Sequence, residues 1–206
     1  MYALRRKSKL IKPGGADEVA RRVRDGILPI LKGRPGFRLH LGFVSEAGEA
    51  VRATLFDGRG PALDAHERVR AWAAENMRDL TPDEPEVRFG AVLLRRGGGA
   101  MQALAGGEAA LFVTVRQYES AGTAAEAVSL LTERTLPSIE RQPGFRGFWA
   151  FRDERDPAHA VSVNVWNGRG AAFAAHQRAL EAMEGLSHVF PAPPKITAGA
   201  ARLVAA

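Results

Sequence analysis

Gly58-Arg59-Gly60-Pro61-Ala62-Leu63-Asp64-Ala65-His66-Glu67-Arg68 and Gly168-Arg169-Gly170-Ala171-Ala172-Phe173-Ala174-Ala175-His176-Gln177-Arg178 carry the same glycines, arginines, alanines and histidine at matching places, 110 residues apart. Upstream, Pro35-Gly36-Phe37-Arg38 returns as Pro143-Gly144-Phe145-Arg146, and Pro29 as Pro137, both at an offset of 108. The two extra residues enter between these motifs, where 45–49 in the first half faces the longer 153–159 in the second, so a hairpin loop absorbs them. A chain that repeats itself in this way is two copies of one unit.

The periodicities within a copy alternate in a fixed order. Residues 2–10 and 109–118 open the copies as strands, Leu111, Val113 and Val115 alternating as a half-buried strand requires. Val19, Val23, Ile27, Ile30 and Leu31 then draw one helical stripe, and Ala124, Val128, Leu131, Leu136 and Ile139 draw its counterpart. Pro29 and Pro137 near the helix ends, each followed by a Pro-Gly pair, are expected to stop these helices and turn the chain. Strands are expected at 37–44 and 50–56, a second helix at 61–77 and a last strand at 87–94. The second copy repeats them at 145–152, 160–166, 171–184 and 196–204. The order is βαββαβ. Phe145, Gly147, Trp149 and Phe151 form one row of their strand and Phe148 and Ala150 the other, so both faces of the sheet need cover. Helices cover one face and the other copy's sheet the second. The expected organisation is therefore α+β, two ferredoxin-like repeats at 1–96 and 108–206 packed sheet to sheet, joined by a Gly-rich linker at 97–107.

Composition narrows the function classes. Of 206 residues 46% are hydrophobic and 25% charged, globular proportions. Absence of cysteine removes disulfides, thiolate metal sites and a cysteine nucleophile. No apolar run reaches the ~20 residues of a membrane helix, and the basic residues after Met1 lack the apolar core of a signal peptide. A cytoplasmic protein without membrane partners is expected. The net charge of +6 lies wholly in the first hundred residues, much of it in Arg5, Arg6, Lys7, Lys9 and Lys12. No nucleic-acid fold signature accompanies it. The expected role is a solvated strand edge whose cations discourage edge-to-edge pairing.

Pro143-Gly144-Phe145 after the first helix, Val165-Trp166 ending the third strand and Phe173-Ala174-Ala175-His176 in the second helix resemble the antibiotic-biosynthesis-monooxygenase-like (ABM) family of dimeric α+β barrels. In the first copy Pro35-Gly36-Phe37, Leu55-Phe56 and Leu63-Asp64-Ala65-His66 carry the likeness more weakly. The resemblance implies a tandem fusion of what is usually a homodimer, hence a pseudo-dimer within one chain, monomeric in solution. It also implies a cofactor-independent monooxygenase acting on a small aromatic molecule. The alternative is a non-catalytic module of the same fold that binds a small ligand or a protein. The haem-degrading branch uses an Asn on the first strand and a Trp on the second helix. Neither first strand here has an asparagine, so haem degradation is not expected.

Asn164 and Trp166 share one face of their strand, and Arg116 and Tyr118 lie on one face of the strand beside it, with Thr114. Rings stack on an aromatic substrate, while Asn or Arg can hydrogen-bond a phenolate or a developing peroxy anion. Asn164, Trp166 and His176 are the candidate catalytic residues; Tyr118, Arg116, Arg169 and Trp149 are the candidate substrate-binding residues. His66 and His176 are the histidines that correspond between copies, and each is open to two readings, a base or an imidazole filling a half-buried notch. Trp166 and Trp149 equally suit a core. No second ligand stands at metal spacing from either histidine, so neither metal nor cofactor is expected. Thr54 and Phe56 in the first copy lack the amide and the indole, which assigns the site to the second half.

Overall fold

The computed structural model describes residues 1–10, 15–97, 110–119, 122–183 and 187–206. Each half runs βαββαβ. The first contains β1 (Tyr2–Lys9), helix α1 (16–32), β2 (Phe37–Val44), β3 (Glu49–Phe56), α2 (Arg59–Asn76) and β4 (Glu86–Arg96). The second contains β5 (Leu111–Glu119), α3 (124–140), β6 (Phe145–Arg152), β7 (His159–Asn167), α4 (Arg169–Met183) and β8 (Lys195–Ala205). Residues 98–107 of the expected linker lie outside the described residues.

The eight strands close into one antiparallel barrel in the order β1-β3-β2-β8-β5-β7-β6-β4. The halves meet at two seams, β2 with β8 and β4 with β6. The row expectation holds for β6: Trp149 and Phe151 enter the barrel interior with Leu39, Leu41 and Val163, while Phe148 and Ala150 face the helices. Phe145 departs from it. A register shift between Phe145 and Gly147 reverses the alternation, as a bulge does, and sends Phe145 to the helix side, its ring 5.6 Å from that of Trp166. The first copy repeats this at Phe37, 5.8 Å from Phe56.

Two expectations need correction. Pro29 and Pro137 do not end their helices. The chain widens into a π-helical turn at Val23–Ile27 and again at Leu131–Thr135, then continues through the proline to Lys32 or Glu140. Proline cannot donate a backbone hydrogen bond and its ring collides with the carbonyl four residues back, and a wider turn relieves both. The basic first strand is likewise not an edge. β1 lies between β3 and β4, because a closed barrel has no edges. Arg5 and Lys7 point into one mouth of the barrel, where Arg5 reaches Glu86 at 2.8 Å and Lys7 reaches Glu49 at 3.1 Å. Arg6 turns the other way, under α2, where it meets His66.

The repeated Gly-Arg-Gly also takes a structural role. Arg59 binds Glu154, which also accepts a hydrogen bond from Tyr2 Oη at 2.6 Å; Arg169 binds Glu46 at 3.0 Å. Glu46 and Glu154 stand in equivalent β-hairpins, so each half's arginine clamps the hairpin of the other.

Candidate functional site

In the second half, the register of β5 against β7 sets Thr114 opposite Asn164, Arg116 opposite Ser162 and Phe112 opposite Trp166, all on the face turned to the helices. Alternation fixes that face, since Val113, Val115, Val163 and Val165 on the other row fill the barrel. α4 lays Ala172, Ala175 and Ala179 against Trp166, and α3 adds Ile139. Alanines permit the close approach. His176, next to Ala175, is therefore carried to the sheet.

Asn164 is fully buried, yet neither its amide nitrogen nor its carbonyl oxygen has a hydrogen-bond partner among the described residues. The same holds for Thr114 Oγ1, one Arg116 nitrogen, Ser162 Oγ, Trp166 Nε1, Thr135 Oγ1 on α3 and His176 Nδ1. Buried polar groups are normally satisfied, and each unsatisfied one costs ~1–3 kcal/mol. Such a concentration around two strands and one helix is hard to reconcile with a purely structural core. His176 is held below the usual histidine pKa by burial and then by the Arg116 charge, so it is neutral at pH 7.

The remaining sequence candidates are placed elsewhere or at the margin. Tyr118 shares the face but packs with Phe190, rings 5.3 Å apart, beside a cavity of about 30 Å³ that Ser162 also lines. Arg169 is at the surface, paired with Glu46 and over the Phe173 ring at 5.1 Å. Trp149 lies in the barrel interior, on the opposite face of the sheet from Asn164. Ser162 and Thr135 were missed. Ser162 was legible, two residues from Asn164 on the same row, whereas Thr135 is placed by the π turn.

A pocket and a wide cleft lie in the first half, where no site was expected. Under α1 and α2 a narrow pocket of about 40 Å³ is lined by apolar side chains, Thr54, His40, His66 and two arginines; it adjoins a cleft of about 450 Å³. Arg6 and Arg52 face each other across β1 and β3 in the place of Arg116 and Ser162. Arg6 donates to His66 Nδ1 at 3.3 Å, and His40 Nδ1 shares a hydrogen bond with Thr54 Oγ1 at 2.9 Å. The offset of 110 relates Arg6 to Arg116 as it does His66 to His176, a signal available in the sequence.

Among the described residues no group of three or more metal-ligating side chains occurs and no helix is long and apolar enough to cross a membrane. No curated protein matches the sequence. Among solved structures, a candidate monooxygenase from Fusobacterium nucleatum is similar over 98% of this chain and 93% of its own, with a TM-score of 0.75 and 6% identity. A second candidate monooxygenase, from Lactobacillus acidophilus, is similar over 99% and 95%, with a TM-score of 0.71 and 11% identity. An anthrone oxidase-like protein is similar over 99% and 92%, with a TM-score of 0.66 and 11% identity. At these identities the likeness is one of fold. Sequence adds the family: residues 110–184 match that of antibiotic biosynthesis monooxygenase. The second half of the chain thus carries a match to the antibiotic biosynthesis monooxygenase family, within a barrel closed by two βαββαβ units.

Proposed function

We propose that the second half is a cofactor-independent oxygenase site for a small aromatic molecule, with Asn164, His176 and Arg116 at its centre. One observation carries this reading: within the stretch that matches the family, buried polar groups of Thr114, Arg116, Ser162, Asn164 and His176 converge under α4 without partners among the described residues. A phenolic ring fits that chemistry. Neutral His176 accepts the phenol proton, and the Arg116 guanidinium holds the phenolate. The electron-rich ring reacts with dioxygen, and the Asn164 amide donates to the peroxy anion as it forms. Oxidation of a phenol to a quinone balances without external reductant, because one oxygen atom stays on the ring and the other leaves as water with two hydrogens of the substrate. Trp149 and Arg169, at the interior and the surface, have no part in it.

Oxygen consumption by the wild type with a panel of dihydroxy-aromatic compounds tests the proposal. At least one compound is expected to be turned over, and Asn164→Ala is expected to slow that reaction about 100-fold, the usual cost of losing one donor to a developing oxyanion. A panel left untouched by the wild type, or a rate that Asn164→Ala leaves unchanged, would overturn it.

A further inference from the structure

The first-half cavity has a different chemistry. Its inner pocket is walled by Leu4, Ile27, Leu31, Phe56 and Val69, and it adjoins the outer cleft at Arg6, Arg52, His66 and Val87, the residues that line both. Arg52 is 6% exposed; its Nε and one terminal nitrogen have no partner, and no carboxylate among the described residues pairs with it. Arg6, 7% exposed and opposite it in register, has among the described residues only the neutral ring of His66 within hydrogen-bond distance. The outer cleft adds Arg70, Arg78 and Arg155 against Asp83 and Glu84 on its rim. Arg70 is already held by Glu67 at 2.8 Å.

Two like charges, removed from water and set on neighbouring strands with no carboxylate bonded to either among the described residues and only Glu67 acting on Arg6 from further off, are a poor way to stabilise a fold. They are a good way to hold an anion. A guanidinium presents a planar fork that matches two carboxylate oxygens, and the apolar walls beyond the neck exclude water from whatever enters them. We propose that the first half binds a small organic carboxylate, its anionic group at the neck between Arg6 and Arg52 and a slim apolar end in the inner pocket. Burial and mutual repulsion hold Arg52 down to about 9, and burial holds Arg6 to about 10, a strain that a bound anion relieves. The register partner of Arg116 in the second half is Ser162, so that half has one buried cation where the first has two. This site is separate from the oxygenase reading and does not rest on it.

Isothermal titration calorimetry of the full chain in low-salt buffer, with hexanoate, 1-hexanol and inorganic phosphate as probes, tests it. Hexanoate is expected to bind once per chain, with 1-hexanol and phosphate each weaker by about tenfold or more, since a charge-assisted pair and the apolar contacts each contribute at least that factor. Arg52→Ser, which installs the second copy's residue, is expected to weaken hexanoate at least about tenfold while the melting temperature holds or rises. A purely structural arginine would lower the melting temperature instead. Should that variant fail to fold, Val69→Phe fills the inner pocket and leaves both arginines; hexanoate should then bind no better than phosphate. Absence of hexanoate binding, 1-hexanol or phosphate binding as tightly, affinity unaltered by Arg52→Ser, or affinity lost in Arg116→Ser rather than Arg52→Ser would each overturn the assignment.

Discussion

Under α2 and under α4 the two copies present the same architecture with different chemistry. Arg6 and His66 are matched by Arg116 and His176, and Phe37 on Phe56 by Phe145 on Trp166, but Arg52 is replaced by Ser162, Thr54 by Asn164 and His40 by Phe148. The shared positions orient the helix on its sheet. Those that differ decide which polar atoms a bound molecule meets. The first half is cationic and open, the second neutral but for Arg116 and densely buried. A fold whose core is built by one set of rows and whose sites are built by another can change the second without disturbing the first.

The largest effect is expected at the seams, where the halves are held alike. Gly90 on β4 and Gly199 on β8 occupy equivalent places. A methyl group on Gly90 would sit 1.9 Å from the Arg152 carbonyl oxygen, and one on Gly199 would sit 2.7 Å from that of Val44. Gly90→Ala should therefore cost about 3 kcal/mol, a fall of roughly 6–12 °C in melting temperature for a chain of this size, and Gly199→Ala less. Equal melting temperatures for both variants and the parent would mean that the seams are looser than they look.

A second test exchanges one residue between the pockets. His40 is pushed down to about 3 by burial and then by the Arg52 charge, so the folded chain keeps it neutral while the unfolded chain protonates it below about 6.5. The folded pKa is the lower one, so stability is lost as pH falls through 6.5 and further losses continue towards 3. Between pH 7 and pH 5 the loss from this group is about 2 kcal/mol. His40→Phe, which copies Phe148, should flatten that part of the stability profile measured by urea titration; an unaltered slope would remove His40 as its source.

The smallest effect is expected at the clamps. Arg59→Ala and Arg169→Ala break exposed ion pairs and should each move the melting temperature by less than about 2 °C. Arg59, whose partner Glu154 is also held by Tyr2, should show the larger of the two shifts, and both should shrink with added salt. A large, salt-insensitive fall in either variant would show the clamps to be essential to the barrel.

The fold could be read early because it rests on periodicity and duplication, both properties of the string itself. Strand ends at Phe37, Val44, Phe145 and Arg152 were placed to the residue. The readings that failed depend on what crosses from one half to the other. A row of cations on β1 looks the same in sequence whether the strand is an edge or an interior member, and only closure by β4 decides it. Arg169 was a candidate for substrate binding, and Glu46, its partner, comes from the other copy. Trp149 was assigned to a substrate wall because the odd and even rows of β6 are both apolar, and apolarity alone does not say which row faces the helices. For the site, the sharing of one face by Thr114, Arg116, Asn164 and Trp166 was legible from alternation. The emptiness beside Arg52 was not, because a cavity is a property of what neighbouring helices fail to fill.

Closure of the barrel within one polypeptide has a genetic corollary. In an assembly of identical subunits every codon change is made twice, and a residue that suits one pocket is imposed on the other. Here positions 52 and 162 are separately encoded, so a lineage can tune one chamber by single substitutions while its sister is held fixed.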